Sequence, residues 1–307
     1  MAATVLEGTA PNSVIGKSGE PSSRARNTGD RSERRPQFQQ PHTMHINNGI
    51  HKGLADPAYR AIEGLSQSAM KSLMRSPGHY KHQQENPRTG TPAMIMGRLF
   101  HHLALTPDVA PWWAIKPDGM SFATKEGKAW RAEQTGEIVS PDQWEQSKGM
   151  AMAVRQHPSL PTFEATEVSI FGEMDGVKVK ARLDALAGDI WDLKSTDDAR
   201  PEGFGKSIFT YGYYIQAAFY LDLYNEFSTK KAESFYFVAV ESEPPHGCRI
   251  YRLSDDAVEQ GRNEYRRLLQ VFKFCASHNS WPIYPDEVSE IGLPSWAIKT
   301  CNVNPFA

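Results

Sequence analysis

Cysteine is scarce: Cys248, Cys275 and Cys301 are the three in 307 residues. They are too widely spaced for a Cys-x-x-Cys zinc or redox site, and the odd count argues against a disulfide framework. A reducing, cytoplasmic setting is the simplest expectation. No apolar run approaches the roughly 18 residues of a membrane span, so no membrane association is expected. The first 20 residues lack the basic-then-apolar order of a signal peptide. Neither charge sign dominates: 34 Lys and Arg against 36 Asp and Glu leave −2 at pH 7. That excludes a generally basic, histone-like coat but leaves a local basic surface open. Gly-x-Ser-x-Gly and His-Glu-x-x-His are also missing. Two Gly-Lys-Ser triplets, at 16–18 and 205–207, fail as phosphate loops. The glycine that such a loop needs five residues earlier is replaced by Pro11 and Arg200.

What is present is ordinary globular composition, 39% hydrophobic and 23% charged. That is enough chain to bury a core without disulfides. Residues 1–43 differ, being rich in Ser, Gly, Pro, Arg and Gln with almost no apolar periodicity. Such a segment buries too little apolar surface to offset its ordering entropy and reads as a disordered tail. A globular domain is expected over 44–285, and an irregular C-terminal tail over 286–307.

Apolar periodicity predicts a helix at Gln67–Arg75, capped by Ser66 or Ser68 and stopped by Ser76-Pro77-Gly78, and a second at roughly 93–105. A short strand is expected at 112–116, then polar helices near 124–134 and 141–156. Residues 164–194 read as a β-meander whose first hairpin turns at Asp175-Gly176. One long helix over about 205–226, a strand pair at 234–241 and 248–253, and a final helix at 254–277 complete the pattern. The order implies an α/β or α+β fold with a mixed sheet.

The informative stretch runs from Lys180 to Thr196. Strand alternation puts Asp192 and Lys194 on one face, with Trp191 and Leu193 on the other. A turn at 187–189 returns the chain so that Asp184 faces Asp192. Two carboxylates that close repel unless a cation lies between them, and a hard divalent ion suits them. Such an ion polarises a phosphoryl oxygen and acidifies a bound water, while a nearby lysine stabilises the developing charge. An Asp-x-Lys tripeptide alone is common. This one is set among Ile190, Trp191 and Leu193, a poor environment for idle charges.

Asp184 followed by Asp192-x-Lys194 resembles the PD-(D/E)xK nuclease core, a restriction-endonuclease-like sheet flanked by helices. Three further matches resemble its RecB-like branch. These are Gly97-x-x-x-His101, Gln216-x-x-x-Tyr220, and an opening helix from Leu65-Ser-Gln-Ser68 to Ser76-Pro77-Gly-His-Tyr80. The likeness is strongest to RecE-type exodeoxyribonucleases (exonuclease VIII-like) and covers roughly 44–285. It implies His101, Asp184 and Asp192 as metal ligands, with the Leu193 carbonyl as a further one. It implies Lys194 as the group that orients water and stabilises the transition state. Mg²⁺ or Mn²⁺ is the implied cofactor, and an imidazole ligand favours Mn²⁺.

Gly97 and His101 share a helix face, where a glycine lets another backbone approach. A buried, hydrogen-bonded histidine remains the alternative for His101, and His102 is the weaker candidate. Gln216 and Tyr220 are expected to position the substrate strand, although Tyr220 fits a core aromatic equally well. The family's additional acidic ligand maps near Glu167, with Glu164 and Glu173 competing. Some relatives carry an iron–sulfur cluster whose first cysteine occupies the position of Ser76. The serine and the scattered cysteines imply no iron–sulfur cluster.

Residues 44–105 hold Lys52, Arg60, Lys71, Arg75, Lys81, Arg88 and Arg98 against Asp56, Glu63 and Glu85. They are the candidate phosphate-contacting region. No base-reading motif is present, so DNA binding without strong sequence preference is expected. The resemblance implies a metal-dependent exonuclease that resects linear duplex DNA 5′ to 3′ in phage-type recombination. It also implies a single-strand annealing protein as partner and a homo-oligomeric ring around DNA. Two alternatives stay open: a single-strand or defence endonuclease on the same fold, and a non-catalytic DNA-binding or assembly protein.

Overall fold

Proline and glycine punctuate the chain into short elements, and a computed structural model describes them over residues 46–87, 90–109 and 113–293. The tail expected over 1–43, Arg88, Trp112, Cys301 and the last stretch of the C-terminal tail lie outside the described residues. No helix among the described residues is long and apolar enough to cross a membrane.

The described chain opens with β1 (Gly49–His51) and α1 (Asp56–Ala61), both too short to leave a periodic signal. The next helix, α2 (Gln67–Arg75), has the expected bounds. The Ser66 hydroxyl caps it by accepting the Ala69 amide, and Met70 and Leu73 are buried. Ser76-Pro77-Gly78 ends α2 but also starts α3 (Pro77–Glu85). Ser76 is extended and accepts the His79 amide, and proline loses nothing at the first helical position because its N–H would be unpaired there anyway. The same device opens α4 (Pro92–Leu105) behind Thr91. Next come β2 (Trp113–Ile115), α5 (Lys125–Glu133) and β3 (Glu137–Val139), with β2 and β3 paired in parallel. A reciprocal Ser140–Gln143 capping box starts α6 (Pro141–Arg155).

The meander comprises β4 (Ala165–Met174), β5 (Val177–Ala187) and β6 (Asp189–Thr196). Asp175 and Gly176 both have positive φ, 52° and 78°, as a tight hairpin requires. The long helix expected over 205–226 is instead two, α7 (Pro201–Thr210) and α8 (Tyr213–Phe227). Gly212 between them is left-handed at φ 68°, which ends one helix and redirects the next. β7 (Phe235–Glu241), β8 (Cys248–Arg252) and α9 (Asp255–His278) follow.

The strands form a six-stranded sheet in the order β1-β4-β5-β6-β7-β8. Within that sheet, among the described residues, β6 and β7 are the parallel pair of neighbouring strands, joined by the α7–α8 crossover. This is the mixed α/β sheet expected, with helices on both faces. One core joins α2, α7, α8 and α9 to the sheet through Phe204, Phe219, Phe235, Phe237 and Leu268. The other joins α4 and α6 to the opposite face through Phe100, Met150, Val154, Leu193 and Val238. Strand β5 changes its facing in the middle. Val177, Val179, Ala181 and Leu183 belong to the first core, whereas Ala185 belongs to the second. Asp184 occupies the residue where the facing shifts.

Candidate active site

Three neighbouring strands bring three acidic residues to one level. The rungs Thr166↔Ala185 and Val168↔Leu183 set Glu167 beside Asp184. Strands β5 and β6 pair only from Ala185↔Trp191 to Ala187↔Asp189, then part. In the opening, the Leu193 amide donates to Asp184 Oδ2 over 2.8 Å, so a carboxylate replaces the missing rung. The Leu193 carbonyl lies on the same edge of the strand as its amide, while its side chain is fully buried.

Glu167 has φ 53°, a left-handed backbone inside a strand. For a residue with a side chain this costs about 1–2 kcal/mol. Arg182 holds it there: its guanidinium pairs with the Glu167 carboxylate and donates to the Leu54 carbonyl at 3.1 Å. The Tyr59 ring lies 5.6 Å from that guanidinium. On α4, His101 Nδ1 approaches Asp184 Oδ1 to 3.5 Å. The ligating atoms of His101, Glu167 and Asp184 all lie within 4.8 Å of one another. One imidazole and two carboxylates at that range form a donor set that fits a divalent cation.

Asp192 stands on the other side of the fork, 1% exposed. Its Oδ1 accepts from Gln216 Nε2 on α8 at 2.6 Å, and its Oδ2 is ion-paired with Lys194. The Lys194 ammonium also lies 4.7 Å from the centre of the Tyr213 ring. Burial pushes the Asp192 carboxyl up to about 6, against the opposing pull of Lys194. Burial works against the His101 charge, but the adjoining Asp184 carboxylate, with Glu167 behind it, raises the imidazole to about 9. Asp184 moves down: burial opposes its ionisation, and His101, Lys194 and the Leu193 amide outweigh that. The site is thus a balanced cluster of opposite charges.

The structure therefore brings His101, Glu167 and Asp184 together. It sets Asp192 beside them with both oxygens engaged. Of the competing glutamates, Glu164 accepts the Gly188 amide at the hairpin and Glu173 is exposed opposite Lys178. Gln216 is buried and its Nε2 donates to Asp192, so it serves that carboxylate. Tyr220 is 9% exposed within the core. A Cβ at Gly97 would meet nothing within 4 Å, so the close backbone approach expected there is absent and the α4 face is open instead. His102 faces Trp113 and Thr106.

Several of the N-terminal basic residues are already paired: Arg60 with Asp56, Lys81 with Glu85, and Arg98 with Glu137. Arg182, Tyr59 and Tyr213 escaped the sequence reading. Arg182 was within reach, since it shares the period-two face of Asp184. Tyr213 precedes Gln216 by three residues, one helical turn.

Residues 66–291 match the family described as "PDDEXK-like domain of unknown function (DUF3799)". Among solved structures, a crystal structure from Eubacterium rectale described as a "Putative exonuclease" matches with a TM-score of 0.50 and 17% identity. The match covers 82% of this chain and 100% of that one. No curated protein matches the chain in sequence.

Proposed function

The chain belongs to the PDDEXK-like domain family DUF3799, and from that membership and its site we propose that it is a metal-dependent nuclease hydrolysing DNA phosphodiester bonds. One observation carries the reading: the Asp192–Lys194 pair lies against the His101, Glu167 and Asp184 donor set. Those three residues would hold Mg²⁺ or Mn²⁺, with the Leu193 carbonyl as a further oxygen. Asp192 would add another with Lys194 turned away from it. When bound, such an ion polarises a phosphoryl oxygen and acidifies a coordinated water.

The chain's own residues do the rest. Lys194, released toward the substrate, orients the attacking water and stabilises charge growing on the phosphoryl oxygens. Gln216 fixes Asp192, so that carboxylate keeps its place when the lysine moves. Arg182 fixes Glu167. Tyr220 packs behind them.

The resemblance supports a finer reading. The enzyme acts in the cytoplasm as an exonuclease on linear duplex DNA, 5′ to 3′, without strong sequence preference. It hands single strands to an annealing protein in phage-type recombination and works as a homo-oligomer. Residues 1–43 and 286–307 are read as tails outside the nuclease domain.

The test is digestion of end-labelled linear duplex beside closed circular DNA, with Mg²⁺, Mn²⁺ or EDTA, for wild type and Lys194→Ala. Metal-dependent loss of linear DNA alone, abolished in the variant, is expected. Cutting of circles would move the reading to an endonuclease. Binding without cleavage under either metal would leave a DNA-binding protein.

A further inference from the structure

Where α7 gives way to α8 the chain carries four aromatics in six residues: Phe209, Tyr211, Tyr213 and Tyr214. Two of them are not used for burial. Phe209 is 74% exposed and Tyr211 46%. Large rings left in water at the turn between two helices are available to a ligand. These rings are also held in place. Gln67 donates to the Gly212 carbonyl at 3.3 Å, which pins the turn that presents them. The Phe209 ring lies nearly parallel to that of Tyr214, 9° apart with centres 6.2 Å away.

Tyr211 has two such neighbours. The Lys71 ammonium lies 4.6 Å from its ring centre, and the Tyr213 ring centre lies 5.6 Å away. Tyr213 in turn lies 4.7 Å from the Lys194 ammonium. A continuous line therefore runs from the surface inward: Lys71, Tyr211, Tyr213, Lys194. It has a cation at each end and aromatic faces between. Lys71 has no carboxylate partner among the described residues, so its charge is available to a ligand.

We propose that Tyr211 and Lys71 form a platform for unpaired bases of the DNA strand whose phosphodiester is presented to Lys194. Ring faces flanked by cations suit a single strand, which offers both unstacked bases and phosphates. Bases inside a duplex are already stacked on each other and have no free face to offer. The occupant is therefore a frayed end or an overhang. Every base has a π-face, so such a platform reads no sequence. The proposal rests on the nuclease reading of the site, and it names the substrate form that this site receives.

The experiment measures affinity in EDTA, where no cutting occurs, by anisotropy of a labelled single strand and of a blunt duplex. Quenching of 2-aminopurine in the single strand reports stacking directly. Tyr211→Ala is expected to weaken single-strand binding roughly tenfold and abolish the quench. Tyr211→Phe keeps the ring and should restore both. Lys71→Gln should weaken binding while leaving the quench at saturation. Tyr211 is exposed, so the core is untouched, and sedimentation velocity checks assembly. Unchanged affinity and quench in Tyr211→Ala would overturn the proposal. So would a loss of self-association in Tyr211→Ala with single-strand binding intact, because the ring would then be a contact between copies of the chain. The nuclease reading is judged separately, by cleavage with Mn²⁺. Ring-dependent binding without cleavage sinks that reading alone, and cleavage without ring-dependent binding sinks the platform alone.

Discussion

Gln216 and Asp192 meet at 2.6 Å in the interior, one from a helix and one from the central strand it covers. The amide satisfies the carboxylate oxygen that Lys194 leaves over. Removing it strands a buried acceptor, at a cost of about 1–3 kcal/mol. Gln216→Leu should lower the melting temperature by about 5 °C. In an Asp192→Asn background the same change should cost clearly less, because no buried charge remains to satisfy. A double-mutant cycle by calorimetry reads the difference, and strict additivity would disprove the coupling.

Arg182 holds Glu167 in a backbone conformation that glutamate adopts unwillingly. Arg182→Met removes both the charge and the bond to the Leu54 carbonyl but keeps most of the packing. Groups that orient metal ligands are typically worth 10- to 100-fold in affinity. Mn²⁺ titration calorimetry should show a loss of roughly tenfold or more, with the fold intact by circular dichroism. Equal affinity would mean that Glu167 needs no clamp or binds no metal.

The acid–base balance gives the metal-free protein a definite pH profile. His101 is raised from 6.5 to about 9 in the folded state. Its contribution is complete below pH 6.5 and is lost as pH climbs through about 9. Asp192 is raised from 3.8 to about 6, so its contribution is likewise lost between those values. Asp184, shifted down, works in the opposite sense and loses its contribution only in stronger acid. The melting temperature in EDTA should therefore fall from pH 6.5 to 9. His101→Asn should flatten that part of the curve. Metal binding needs the neutral imidazole, so stabilisation by Mn²⁺ should grow over the same interval.

Two glycines on helices should respond oppositely to alanine. At Gly261 a Cβ would lie 2.1 Å from the Tyr214 carbonyl oxygen, where α9 crosses α8. Overpacking of that kind costs about 1–3 kcal/mol, so Gly261→Ala should melt several degrees lower. At Gly97 nothing lies within 4 Å. Gly97→Ala should gain up to about 1 kcal/mol of helix stability. If it melts higher yet cuts DNA more slowly at unchanged Mn²⁺ affinity, the open face of α4 is where the DNA passes. A lower melting temperature would contradict the open-face geometry.

Much of this protein was legible from local pattern. The bounds of α2 followed from Ser66 and the spacing of Met70 and Leu73. The β4–β5 hairpin followed from Asp175-Gly176. The facing of Asp192 and Lys194 followed from strand alternation. Elements of three residues, such as β1 and β3, carry too few positions for a period to show. The break at Gly212 was missed because the residues on both sides of it are helical and apolar.

The sequence by itself determined most of the longer helices and strands, the family signature and which acidic and basic residues stand on the two strands of the core. Those features arise from caps, turns and periodicities that act within a few residues of each other. Only the tertiary structure decided that Glu167, and not Glu164 or Glu173, stands beside Asp184, that Gln216 serves Asp192, and that Arg98 is spent on Glu137. Each of these depends on strand neighbours and docked helices brought together from distant parts of the chain. Which side chains then meet is set by register, by where two strands part, and by the one core face each helix can cover.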